Sequence, residues 1–128
     1  MEDKLVRKFF ENEIEDIATS PEILDANRKV LLEFLKFKQG QGLSYSRLNR
    51  VDMALKPIFK SMKYSVKTID DKKAQEIVIA INSNPKWKDW TKNSNVKVFK
   101  NFLRWLSLFR RSSLPYETYL FALFSSII

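Results

Sequence analysis

Apolar residues in this chain recur three and four positions apart rather than two, and that spacing predicts helices throughout. Over residues 4–17, Leu5, Phe9, Ile14 and Ile17 share one broad side, and the acids between them make the other side negative. Ser20-Pro21 has the form of an N-cap followed by proline at the first helical position, so a second helix is expected from there to about Lys38. Leu24, Val30, Leu31, Phe34, Leu35 and Phe37 supply its apolar side, and Gly40-Gln41-Gly42 ends it where positive φ is needed. Ser44 caps a third helix with the stripe Leu48, Val51, Leu55, Ile58 and Met62. Pro57 lies inside that run and is expected to kink or split it.

Thr68 opens a fourth helix, from Ile69 or Asp70 to about Asn82. Asp70 and Asp71 stand in its first turn, where the helix dipole favours negative charge. Its buried stripe is Ala74, Ile77, Val78 and Ile81. Asn82-Ser83-Asn84-Pro85 breaks the chain. Thr91 then caps a long helix to about Phe109, apolar along Val98, Phe99, Phe102, Leu103, Trp105, Leu106 and Phe109. Tyr116 to Ile128 is expected to form a last apolar helix. The expected fold is all-α: an acidic N-terminal helix over residues 1–20, a four-helix domain over 21–110 and an apolar tail over 111–128.

The 128 residues fit one domain with enough chain to bury a sizeable core. The chain has no Cys, which excludes disulfides and thiolate chemistry, and no His, which removes the commonest general base and metal ligand. It also has no Gly-rich phosphate loop, and its four Tyr are scattered. The chain is therefore expected to bind rather than catalyse, with no cofactor or metal. The N-terminus is charged and has no apolar leader. The eleven uncharged residues from Thr118 to Ile128 fall short of the ~20 that a spanning helix needs. A cytoplasmic protein without membrane contact is expected.

The net charge of +8 is unevenly spread. Residues 1–20 hold three basic and six acidic residues, whereas residues 36–111 hold eighteen basic and five acidic. Such a cationic stretch suits a polyanion. In the last core helix, Asn93, Lys97, Lys100, Arg104 and Arg111 share the side opposite the aromatics, with Thr91 and Lys92 at the helix N-terminus, which attracts phosphate. A helix with a basic outer stripe and a buried back can dock in a major groove. The third helix offers a second such face through Asn49, Met53, Lys56, Lys60 and Lys63, with Ser46, Arg47 and Arg50 near its start. Base reading is assigned to Arg47, Arg50, Asn93 or Asn95, because Arg can fork onto a guanine edge. Phe34, Phe99, Phe102 and Trp105 fall in core stripes. Trp87 and Trp90 lie outside them, and either pin the loop to the core or contact a sugar-phosphate backbone.

The motifs run in a suggestive order. Asn27-Arg28-Lys29-Val30-Leu31-Leu32-Glu33-Phe34-Leu35 is followed by Gly42-Leu43-Ser44 with Arg47, then by Thr68-Ile69-Asp70-Asp71. Trp90-Thr91-Lys92 and Phe99-Lys100-Asn101-Phe102-Leu103-Arg104-Trp105-Leu106 close the series. Over roughly residues 22–108 this resembles the N-terminal core-binding, SAM-like domain of phage-type and archaeal tyrosine recombinases. The resemblance implies two crossed helical hairpins that form half of a clamp around double-stranded DNA, with the second and fourth core helices facing the major groove. In that family strand cleavage belongs to a separate C-terminal domain with a tyrosine nucleophile and Arg, Lys and His residues. The chain then corresponds to the DNA-binding domain alone, to a truncated gene product or to one fragment of a split integrase. Other recombinase protomers or a separate catalytic fragment are implied partners, and residues 116–128 are a candidate surface for self-association. Pro57 and the apolar tail depart from the family pattern. The rival expectation is a helical, SAM-like protein-interaction module.

Overall fold

The structure is a computed structural model that describes residues 4–111, with side chains through Leu108. The described chain is all-helical, with no strand. Its helices are α1 (Lys4–Thr19), α2 (Asp25–Gly40), α3 (Tyr45–Ser61), α4 (Asp71–Asn82) and α5 (Asp89–Arg111), and a single 3-10 turn, Val66–Thr68, lies between α3 and α4. The expected tail helix, 116–128, lies outside the described residues.

Consecutive helices pair, α2 with α3 and α4 with α5, and α3 packs on α5 to join the pairs. An aromatic cluster ties the second, third and fifth helices together. The Phe102 ring stands edge-on to Phe34 at 5.2 Å and to Phe59 at 5.4 Å, and Trp105 packs on Phe34 at 5.2 Å. Phe34, Phe59, Phe99 and Phe102 are fully buried, as the helical periodicity requires.

Helix starts depart from the local capping signals wherever tertiary packing has its own demand. The second helix begins at Asp25 rather than after Ser20. Ile23 is buried, so the chain must turn before the helix starts, and Arg28 fixes that turn by donating to the carbonyls of Ser20 (2.5 Å) and Ile23 (3.1 Å). Leu24, expected in the core, is exposed. Asp70, not Thr68, caps α4: its carboxylate accepts the Lys73 N–H at 2.8 Å, which holds its pKa below the usual carboxylate value. Thr68 instead closes the 3-10 turn by donating to the Ser65 carbonyl. The third helix starts as its sequence predicts, with the Ser44 hydroxyl accepting the Arg47 N–H at 3.2 Å. It continues unbroken through Pro57, so the expected split does not occur. Proline cannot donate to the carbonyl four residues back, and both Pro57 and Met53 are on the exposed side of α3, where water can serve that carbonyl. Among the described residues Gly42 alone takes a positive φ, +82°, at the turn into α3.

Asn27 fastens the connection between α3 and α4. Fully buried on α2, it donates to the Tyr64 carbonyl at 2.8 Å and accepts the Val66 N–H at 2.7 Å. Asn27→Ala orphans both backbone groups and is expected to cost about 2 kcal/mol in urea unfolding. A loss below a few tenths would show that water takes over both bonds.

The acidic N-terminal helix is not a solvated appendage. It runs alongside α3 in the same direction, with the Val6 carbonyl accepting from Asn49 near the start and Glu13 meeting Lys56 a few turns on. Its inward residues are Phe10 and Ile17, with Ile14 packed at the edge. Leu5 (73% exposed) and Phe9 (48% exposed), expected in the buried stripe, instead stay open to solvent at the edge of the groove between α1 and α3.

Candidate nucleic-acid interface

The outer face of α5 is built by periodicity alone. Asn95, Phe99, Phe102 and Leu106 point into the core, so the opposite side must carry Asn93, Lys97, Lys100 and Arg104, and all four are exposed. Lys97, Lys100, Asn101 and Arg104 line one shallow groove. The three cations lie within about 10 Å along the axis, at 1.5 Å per residue. Among the described residues no carboxylate lies within ion-pair distance of Lys97, Lys100 or Arg104. Their charge is uncompensated locally and is directed at solvent. The aromatic cluster behind them makes the helix a rigid platform.

At the start of α3, Ser46 and Arg47 are exposed. The contact between Phe37 and Trp105 (6.2 Å) sets the last turns of α5 beside the end of α2, from which Gly40 to Ser44 leads into α3. Phe102, a turn earlier, meets Phe59 near the end of α3, so α5 crosses both helices of the first pair. Arg50, one turn on, is half-buried, with its Nη2 enclosed and without a hydrogen-bond partner.

The rest of the expected face on α3 is not open. Lys56 lies 2.7 Å from Glu13 and 2.5 Å from Asp16, its side chain only 15% exposed. Burial works against its ammonium, but the bonds from Asp16 and Glu13 outweigh it and raise its pKa. Lys60 lies 3.8 Å from Glu22, and Asn49 is buried against α1. Lys56 is therefore withdrawn as a phosphate contact, because the acidic helix already covers it; Lys60, with its side chain 33% exposed, is only loosely paired with Glu22 in the turn after α1. Asn95 is withdrawn as a base reader. It is 1% exposed, on the core side of α5, where no duplex can reach it.

Under the same cover lies Asp52, buried one turn before Lys56. Burial first, and then the hydrogen bond and charge of Glu13, push its pKa up to about 8. Glu13 itself is held below its usual value: burial raises it, but bonds from Asp52 and Lys56 more than offset that. The pair shares a proton near neutral pH, with the proton on Asp52.

Sequence reasoning also misplaced the start of α5. Asn84 makes a tight turn, its side chain accepting the Lys86 N–H at 2.9 Å, and the helix begins at Asp89. Thr91 is therefore the third helical residue rather than the cap, and it and Lys92 are half-buried. The shift places Trp90 inside the helix, at 68% exposure, while Trp87 packs against the core. Asn101 joins the basic groove unanticipated, although its spacing from Lys97 and Arg104 signals it.

No helix among the described residues is long and apolar enough to cross a membrane. No family model, curated protein or solved structure matches this chain.

Proposed function

We propose that this chain binds double-stranded DNA through the outer face of α5, with Arg47 and Ser46 at the start of α3 as a second contact. In this reading it is the non-catalytic, core-binding half of a tyrosine recombinase or integrase, acting in the cytoplasm. It positions the protein on recombination half-sites, and strand cleavage falls to a separate catalytic domain. The supporting observation is the stripe of Lys97, Lys100 and Arg104, exposed, free of carboxylate partners and backed by a packed aromatic core. Lysine and arginine on phosphates release counterions, and an exposed helix of this length fits a major groove. Asn93 and Arg47, both exposed, are the candidates for base edges in this reading.

The test is fluorescence anisotropy of a labelled duplex of ~30 bp at about 50 and 200 mM salt, which reads counterion release directly. Wild-type protein is expected to lose affinity steeply with salt. The triple variant Lys97→Ala, Lys100→Ala, Arg104→Ala is expected to bind at least about tenfold more weakly and to flatten the salt slope by about 2–3. Folded protein that ignores duplex at low salt, or a triple variant that binds as wild type does, overturns the reading.

A second reading, a helical protein-interaction module, is favoured by one observation. Leu5, Phe9 and Met53 are exposed together around a groove between α1 and α3. Replacing all three with serine would abolish partner binding under that reading and leave duplex affinity unchanged under the first.

A further inference from the structure

Trp90 stands on the same face of α5 as the basic groove. From Trp90 the steps to Asn93, Lys97, Lys100 and Arg104 are three, four, three and four, so the indole begins the stripe that Arg104 ends. Trp90 and Lys97 are two turns apart, about 10 Å along the axis, or about three nucleotide steps of a stacked strand. Lys86 and Lys88 are exposed just before it. Over residues 86–104 six cations face a single acid, Asp89. The indole is 68% exposed, whereas Trp105 is buried.

We propose that Trp90 is a stacking platform for an unpaired base, so that this face prefers DNA in which duplex gives way to single strand. The inference rests on the duplex-binding reading of α5 and deepens it. Duplex presents base edges and phosphates to a protein, and neither calls for a flat apolar ring at the end of a cationic stripe. An unpaired base presents a π face, and any base can stack on tryptophan. The lysines and Arg104 hold the adjoining backbone while the ring takes the base. An anionic lipid surface also recruits tryptophan and lysine, but it needs several apolar residues on one face. Here Trp90 is alone: every other exposed position of its stripe is Asn, Lys or Arg.

The experiment compares three labelled probes at one salt concentration. They are a duplex, the same duplex with a ~10-nucleotide single-stranded overhang, and vesicles of phosphatidylcholine and phosphatidylserine. Wild type is expected to bind the overhang probe about tenfold more tightly than the duplex, the factor that one stacked base supplies. Trp90→Ala is expected to erase that preference, so that both DNA probes bind alike, and Trp90→Phe to retain much of it. Circular dichroism checks that both variants fold. Equal affinity of wild type for the two DNA probes, or a preference that survives in Trp90→Ala, overturns the inference and leaves duplex binding standing. Vesicle binding that depends on Trp90, with no preference for the overhang, also overturns it. Failure to bind either DNA removes the duplex reading and the inference together.

Discussion

Phe102→Ala is expected to destabilise the fold by about 3–5 kcal/mol, enough to lower the melting temperature by about 10 °C or more. Phe102 is the ring on which the three helices converge. It meets Phe34 of α2 and Phe59 of α3 edge-on, with Trp105 beside it at 6.0 Å. Alanine removes the transfer free energy of the ring and leaves a cavity walled by groups that cannot collapse, because each is held by its own helix. The edge-to-face contacts are lost as well. Phe102→Leu keeps most of the volume and is expected to cost less than half as much. Thermal unfolding followed by circular dichroism separates the outcomes: a loss for alanine near that for leucine would mean that the site repacks. The consequence reaches the candidate interface, because Lys97, Lys100 and Arg104 are held in line by the same helix. DNA affinity should fall with helicity in the alanine variant and stay intact in the leucine variant.

The core was legible in the sequence because burial and helical period carry the same information. Val30, Leu31, Phe34 and Leu35 in α2, and Phe99, Phe102, Trp105 and Leu106 in α5, recur at three and four and are all buried. The same arithmetic named the exposed stripe of α5. It could not say what lies on the far side of α3. Periodicity tells which residues share a face, not which other helix covers that face. Lys56 stood on the face expected of it, and α1 took that position. A signal existed in the opposite charges of residues 1–20 and 36–111, which suit an internal pairing as well as an external polyanion. Helix starts were misread for a different reason. Capping residues are local, whereas the start of α2 is set by burying Ile23 and the start of α5 by the Asn84 turn. Three residues of error at the start of α5 were enough to leave Trp90 off the helix face to which it belongs.

Asp52→Asn is expected to stabilise the protein by about 2–4 kcal/mol at pH 8 and above, and the gain should vanish as the pH falls toward 4. The Asp52 carboxyl is buried and faces Glu13 of α1, with Asp16 and Lys56 close by. Its pKa rises from 3.8 to about 8 on folding. Between those values the folded state binds a proton that the unfolded state has released, so stability falls as pH rises through that window and levels off above it. The full shift, at about 1.4 kcal/mol per unit, sets a ceiling of about 6 kcal/mol, and relaxation around the charge lowers the real figure. Asparagine keeps the shape and never ionises. Glu13 and Asp16, whose pKa values are lowered, act in the opposite direction, and their contribution is lost only as the pH falls through the acid range. Urea unfolding at pH 5, 7 and 9 decides the matter. Wild type should lose stability across the series while the asparagine variant stays nearly level, and parallel profiles would mean that Asp52 ionises in the folded state as it does in water. The variant also isolates the role of the acidic helix. By strengthening the contact of α1 with α3 it keeps Lys56 covered, so DNA affinity should not change if α5 carries the binding. A weakened affinity would mean that α1 has to lift and that α3 contributes its lysines after all.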